Sequence, residues 1–443
     1  MARLQHFGWF LGQGIGVQGW GKPHARFGHR WYEPEVYRQA ASVFEMANFD
    51  LWVIKDSSVL QSFDRAPAVS VGSGEGGPRH DPLTFAAHIL NATTRLGVLP
   101  TINASFTDPF YAARQASALG HLSGGRAGVN VVIGQHADVP AITGARDVPI
   151  LDAAGNHDRA GEWIRVIRQL WGDDTPRWSL SPGRTHDTTA PIDHAGRFYD
   201  VAGPGWLSPF PGRRPGVVAP VTSGDGLRYA GEHLDIAMVV ANTPADVGRI
   251  RASIHSAAAA VGRTAADITI LPIIVPRIAT SADEAEAIRR HSRSNEAMRR
   301  QLSVVSVFMG ADLRRYDYSR PFPVEEFAPF QQDWLRRLLG AADPFEIPVR
   351  DAIEHHRSDP GEFGFVGTVG EVADHIESFE DVGNDGFLLN ENIDPTSIHE
   401  ILGRLVPELK RRGILRTEYG NGTLYDNLHD FRPSTITRKV LTT

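Results

Sequence analysis

Eight short apolar, β-rich runs recur along this chain, and most of the intervals between them are long enough for a helix. They are "HFGWFL" (6–11), "FDLWVI" (49–54), "LGVLPTI" (96–102), "GVNVVI" (128–133), "GVVAPV" (216–221), "IAMVV" (236–240), "ITILPIIV" (268–275) and "DGFLL" (385–389). Runs that stay apolar instead of alternating are strands buried on both faces, the habit of parallel sheets covered by helices. Eight such units predict an α/β fold closed as a (β/α)8 TIM barrel, with insertions at the C-terminal strand ends. No internal repeat or second core is evident. The 443 residues therefore read as one domain, 1–443, with 394–443 as a helical or extended C-terminal extension.

Helix signals support the alternation. Thr243 caps and Pro244 opens a helix whose Val247, Ile250, Ile254 and Val261 share a face. Ser281 and Glu284 have capping-box spacing. Val372, Ile376, Phe379 and Val382 form a stripe that stops at Gly383.

Composition narrows the functional classes. Net charge is −7 with both signs interspersed, which argues against a nucleic-acid surface. No run approaches a membrane span, and "MARLQHFGWF" lacks a secretory pattern. With no cysteine, disulfides, thiolate metal sites and cysteine nucleophiles are excluded, in keeping with a cytoplasmic protein.

Several motifs match only in part. Gly14, Gly16 and Gly19 spell G-x-G-x-x-G, but Pro23 and an aperiodic stretch follow where a dinucleotide site needs a helix. Gly16 to Lys22 spells most of a P-loop, with Pro23 in place of Ser or Thr. His6 stands alone where a metal-dependent barrel hydrolase carries His-x-His, so no metal site is expected. Paired carboxylates for glycoside hydrolysis and a G-x-S-x-G elbow are also missing.

What remains at the strand ends is Asp56 with Ser57 and Ser58, Thr101 with Asn103, Asn130, and Thr222 with Ser223. These neutral hydrogen-bonding groups, with one carboxylate, suit a heteroaromatic ring whose edge carries donors and acceptors. "TSGDG" (222–226) opens a helical segment whose free amides suit a phosphate. Together they read as a bed for flavin mononucleotide. The loops after the first two strands are long and glycine-rich, as lids over a barrel mouth are.

The chain also resembles the flavin-dependent two-component monooxygenases of the bacterial luciferase superfamily, in the nitrilotriacetate, dibenzothiophene-sulfone and dimethyl-sulfide monooxygenase branch. The similar stretches lie at 80–132, 194–215, 309–327, 365–389 and 405–428, in the family's order. "HLSGGRAGVNVV" (121–132) resembles the entry to the strand whose Asn lies beside the flavin.

The resemblance implies a reduced FMN cofactor and O2 as co-substrate, acting through a flavin hydroperoxide or peroxide on a small organic substrate. It further implies a separate NAD(P)H:flavin reductase and a homodimer or homotetramer. By position, Asp56, Thr101 and Asn130 match residues at the flavin ring, and Thr222 and Ser223 match the phosphate loop. No acid–base pair is assigned; Asp56 is the one catalytic candidate. Trp9 and Phe10, with His24, His29 and His80, are the candidate substrate contacts.

The sequence departs from the family pattern at the phosphate end. Val129 replaces a Trp, Ile133 and Gly134 replace Thr-Ser, Asn156 and His157 replace Arg-Tyr, and Pro220 and Val221 replace Ala-Gly. Either His157 substitutes as a phosphate donor, or the flavin is held more weakly or differently. Alternative readings are a deazaflavin-dependent oxidoreductase of the same superfamily and a non-catalytic flavin-binding protein.

Overall fold

The computed structural model describes residues 3–11, 33–56, 80–133, 148–149, 151–172, 191–207, 214–221, 224–292, 294, 306, 312–328, 331–332, 335–336, 343–352, 365–391, 393, 395–420 and 422–431. In chain order its elements begin β1 (His6–Phe10), α1 (Pro34–Met46), β2 (Leu51–Ile54), α2 (Pro82–Asn91), β3 (Gly97–Asn103), α3 (Pro109–Ser123), β4 (Gly128–Val132) and α4 (Ala153–Trp171). A hairpin follows, β5 (Ile192–Ala195) with β6 (Asp200–Gly203), then β7 (Gly216–Val221), α5 (Gly224–His233), β8 (Ile236–Val239) and α6 (Pro244–Ala260). The last stretch holds β9 (Thr269–Ile274), β10 (Arg277–Ala279), α7 (Ala282–Ser292), β11 (Val366–Thr368), α8 (Val369–Ser378), β12 (Gly386–Leu389), α9 (Val406–Arg412) and α10 (Leu424–His429).

Eight strands close a parallel barrel in the order β1-β12-β9-β8-β7-β4-β3-β2. All eight are those predicted from the apolar runs, within two residues at either end. The extra strands β5, β6, β10 and β11 form two small sheets outside it. The hairpin lacks a long apolar run, which is why the sequence does not announce it.

The strands present two packed faces. Leu51, Val53, Leu99, Val218, Ile236, Met238, Leu271 and Leu388 fill the barrel interior. The alternate residues, among them Trp9, Trp52, Val98, Val129, Val217 and Ile270, pack against the helices. A third, smaller cluster outside the barrel gathers Leu313, Phe322, Phe327, Leu335, Val349 and Ala352, a satellite core that the strand pattern did not predict.

Local capping fixes where the helices begin. Thr243 accepts from the Asp246 amide with Pro244 in the first turn, and Val247 and Ile254 are buried as expected. Val261, expected on that face, is instead the C-cap and 51% exposed. The Glu284 amide donates to Ser281 Oγ at 3.1 Å, but the Glu284 carboxylate reaches the Thr280 amide, one residue earlier than a capping box requires.

The C-terminal extension closes the barrel floor. Leu424 and Leu428 of α10 join the interior cluster. Gly97 makes room for Leu424, since a Cβ there would stand 2.5 Å from its Cδ1. This part of 394–443 is thus built into the barrel's own N-terminal end.

The glycine-rich turn before β4 belongs to the same end. Gly124 and Gly125 both have positive φ, 66° and 84°, and the Gly125 amide closes the helix on Gly120 O at 2.8 Å. Arg126 follows and is 6% exposed. Its guanidinium donates to Ser123 O, Leu96 O, Leu90 O and Thr93 Oγ1 at 2.9–3.0 Å. Arg126→Met would take a donor from each of these acceptors and leave Ser123 O and Leu96 O without the guanidinium that bonds them, and we expect a loss of about 3 kcal/mol in urea unfolding.

Candidate functional site

In a parallel barrel, chemistry collects at the C-terminal strand ends, where side chains on the inner face stop packing against one another. Extending the inner-face alternation upward brings Phe10, Thr101, Asn103, Asn130, Val132, Pro220, Val240 and Asn390 to that end. Burial follows this placement. Thr101 and Asn130 are 5% and 2% exposed, whereas Val240 is 63% exposed, a large apolar residue open at the rim.

Thr101 and Asn130 face each other in the β3–β4 register. Asn130 Nδ2 donates to Thr101 Oγ1 at 2.8 Å, and Thr101 Oγ1 donates to Ile54 O at 2.7 Å. The hydroxyl gives its only proton to Ile54, so it must accept from Asn130, and this fixes the amide orientation. Asn130 Oδ1 is then left buried with no hydrogen-bond partner among the described residues. A native fold rarely tolerates a buried orphan acceptor without a reason. The site is ready for a ligand N–H donor.

The other sequence-derived candidates fall in different places. Asp56 is half-buried two residues beyond β2. Phe10 packs at the upper edge of the interior cluster. Trp9 points the other way: it is fully buried, stacks on Phe44 at 4.4 Å, and its indole donates to Glu391 O at 2.7 Å. It is a packing residue of the helix layer and offers no wall to a ligand at the mouth. His80 is exposed just ahead of α2, its ring 6.4 Å from Phe85. Thr222, Ser223, His24 and His29 lie outside the described residues, as do Gly134 and most of the two long loops.

His157 sits in the second turn of α4, its ring 5.3 Å from that of Tyr229 on α5. Together with Asp158, Arg165, Arg228 and His233 they line a cleft of about 310 Å³ between the two helices. Burial, with Arg165, Arg168, Arg263 and Arg228 around it, pulls the His233 pKa down to about 3, so that imidazole is neutral at physiological pH. Asp158 and Glu232 both pair with Arg228, at 3.3 and 3.1 Å.

Sequence reasoning missed the device that joins α4 to the mouth. Glu162 is 3% exposed and accepts from the amides of Arg197, Phe198 and Tyr199 at 2.9–3.1 Å. Its carboxylate thereby holds the β5–β6 turn onto α4. Burial alone would raise its pKa, but these amides and His194 bring it below the usual range. Tyr199 OH then donates to Ala104 O, at the end of β3, at 2.8 Å. The only signal in the chain was the clustering of "HAGRFYD" within one of the stretches that resemble the family.

Among the described residues no group of three His, Asp or Glu side chains is placed to hold a metal ion, and no helix is long and apolar enough to cross a membrane.

Comparison with known proteins agrees with this architecture. The Luciferase-like monooxygenase family model matches residues 61–386. N-acetyl-S-(2-succino)cysteine monooxygenase of Bacillus subtilis (strain 168) is 25% identical over 403 residues, covering 89% of each chain. Nitrilotriacetate monooxygenase component A of Aminobacter aminovorans is 26% identical, covering 96% of each. A riboflavin lyase, solved with modified FMN and riboflavin as substrate, superposes with a TM-score of 0.77 at 25% identity, covering 97% of this chain and 96% of that one. A closed eight-stranded parallel barrel, a polar constellation at its mouth and a family match over most of the sequence lead to one assignment: the chain belongs to the luciferase-like monooxygenase family.

Proposed function

We propose that this chain is the oxygenase component of a two-component monooxygenase. It binds reduced FMN at the barrel mouth and uses O2 to oxidise a small organic substrate. A separate NAD(P)H:flavin reductase supplies the reduced flavin. The observation that carries the reading is the Asn130–Thr101–Ile54 chain, with its one buried acceptor left open. An isoalloxazine edge carries N–H groups that match such an acceptor, so the residues present fit the cofactor. The names of the relatives, two monooxygenases and an FMN-holding lyase, support the same reading.

The flavin, when bound, supplies the electrons and the reaction with oxygen. The protein's part is to bind, orient and exclude water. Asn130 Oδ1 accepts from the ring edge, and Thr101 prevents the amide from turning over. Phe10, Val132 and Val240 provide apolar surface around the ring. Asp56 orients the ring from the end of β2, and His157 with Thr222 and Ser223 ahead of α5 holds the phosphate. His24, His29 and His80 face the substrate. The working protein is a homodimer or homotetramer in the cytoplasm.

The test is an anaerobic titration. Reduced FMN should bind and raise the melting temperature, and purified reductase plus NAD(P)H should then drive substrate-dependent oxygen uptake. A protein that ignores reduced FMN but binds a reduced deazaflavin would belong to the hydride-transferring branch instead. One that binds FMN without consuming oxygen with any substrate would be a carrier.

A further inference from the structure

The first turns of α4 carry polar atoms that the barrel does not use. Arg159 is 4% exposed. Its Nη2 donates to Pro149 O at 3.2 Å, while Nη1 is buried with no hydrogen-bond partner among the described residues. Among the described residues no carboxylate pairs with it, and the nearby Tyr199 phenol, whose pKa burial raises, carries no charge to offset it. The Phe198 ring lies 5.3 Å from the guanidinium carbon, a weaker compensation than a counter-ion. Nearby carboxylates are committed elsewhere: Glu162 to the β5–β6 turn, Asp152 to the Gly155 amide. Burial holds the Arg159 pKa below its ordinary value, although an arginine remains charged at any physiological pH.

Two further orphans lie close by in the fold. Asn156 Nδ2 donates to Leu151 O, and its Oδ1 is buried without a partner among the described residues. Ser105 Oγ, next to the Ala104 that receives Tyr199 OH, is likewise buried and unsatisfied among the described residues. α4 follows β4, so its N-terminal turns stand at the C-terminal end of the barrel, on the β3–β4 side where Asn130 leaves its own acceptor open. Buried cations are ordinarily paired, and a guanidinium recognises carboxylate and phosphate oxygens through its planar fork.

We propose that Arg159 is an anion-binding residue of the barrel mouth, whose missing counter-charge is a phosphate or carboxylate oxygen brought in by a bound ligand. The flavin phosphate and an acidic substrate share that chemistry. The phosphate arm rests on the functional reading above; the free-anion arm does not.

The experiment compares full-length wild type with Arg159→Met and Arg159→Lys. Each is titrated anaerobically with reduced FMN and reduced riboflavin, and melted in chloride buffer with and without phosphate or succinate. Without ligand, Arg159→Met should melt at a higher temperature than wild type, because an uncompensated buried charge is gone. If the flavin phosphate is the anion, wild type should prefer reduced FMN to riboflavin by about tenfold or more, and Arg159→Met should lose that preference, with Arg159→Lys in between. If the preference survives but succinate stabilises wild type and not Arg159→Met, the anion comes from the substrate and the proposal stands. If wild type and Arg159→Met respond alike to every anion, Arg159 is a structural residue and the proposal is overturned. A wild type that binds neither reduced flavin overturns the functional reading instead, and the phosphate and succinate melts still decide the role of Arg159.

Discussion

Asp235→Asn is expected to destabilise the protein by about 2–4 kcal/mol without altering flavin binding. Asp235 precedes β8 at the barrel floor. It receives Arg214 at 2.6 and 2.8 Å, Arg168 at 3.1 Å and the Val217 amide at 2.8 Å. Replacing the carboxylate strands two partly buried guanidinium groups. The magnitude stays below that of a fully buried pair because the Asp235 side chain keeps 21% of its surface exposed. Burial by itself would raise the Asp235 pKa, yet Arg214 and Arg168 hold it well below the usual carboxylate range.

The sign of the pH dependence follows from that depression. The stabilisation is complete above the unfolded-state pKa, about 3.9, and is lost as pH falls from there towards the lower folded-state value. Urea unfolding of wild type and Asp235→Asn should therefore differ fully at pH 7 and converge progressively below about pH 4. A difference independent of pH would mean that the charge of Asp235 is not what stabilises this seam.

Asn130→Leu should show the opposite pattern. Leu is close to Asn in size and removes an acceptor that is already unsatisfied in the ligand-free protein, while Thr101 keeps its bond to Ile54 O. Stability should stay within about 1 kcal/mol of wild type, or rise slightly. Affinity for reduced flavin should fall about ten- to a hundredfold, because the ring N–H would then be buried without a partner. A variant that unfolds readily but binds flavin normally would make Asn130 a core residue only.

The contrast between these two positions explains what the sequence could and could not reveal. The barrel was legible because both faces of each strand are apolar, leaving eight uninterrupted runs that admit few other folds. Thr101 and Asn130 stood out as polar residues inside such runs; that they face each other across β3 and β4 is seen only in the register of the fold. Trp9 was misleading: an aromatic residue near a strand end faces the helices or the mouth according to a one-residue parity, and the run "HFGWFL" gives no polar alternation to set it. The α10 plug was hidden for a different reason, since two leucines on a six-residue helix make no pattern of their own. Glu162 and Arg159 look like ordinary surface charges in "NHDRAGEW"; both are buried in the fold, where residues of the β5–β6 turn meet each of them.

The most direct test of the central claim is to mix the protein with anaerobically reduced FMN, then with oxygenated buffer, and follow the flavin absorbance on the millisecond-to-minute scale. An oxygenase should give a protein-dependent, blue-shifted flavin spectrum that persists after free reduced FMN has been consumed, and whose decay changes when substrate is present. Oxidation of FMN at the rate seen without protein, with no distinct spectrum, would contradict that claim.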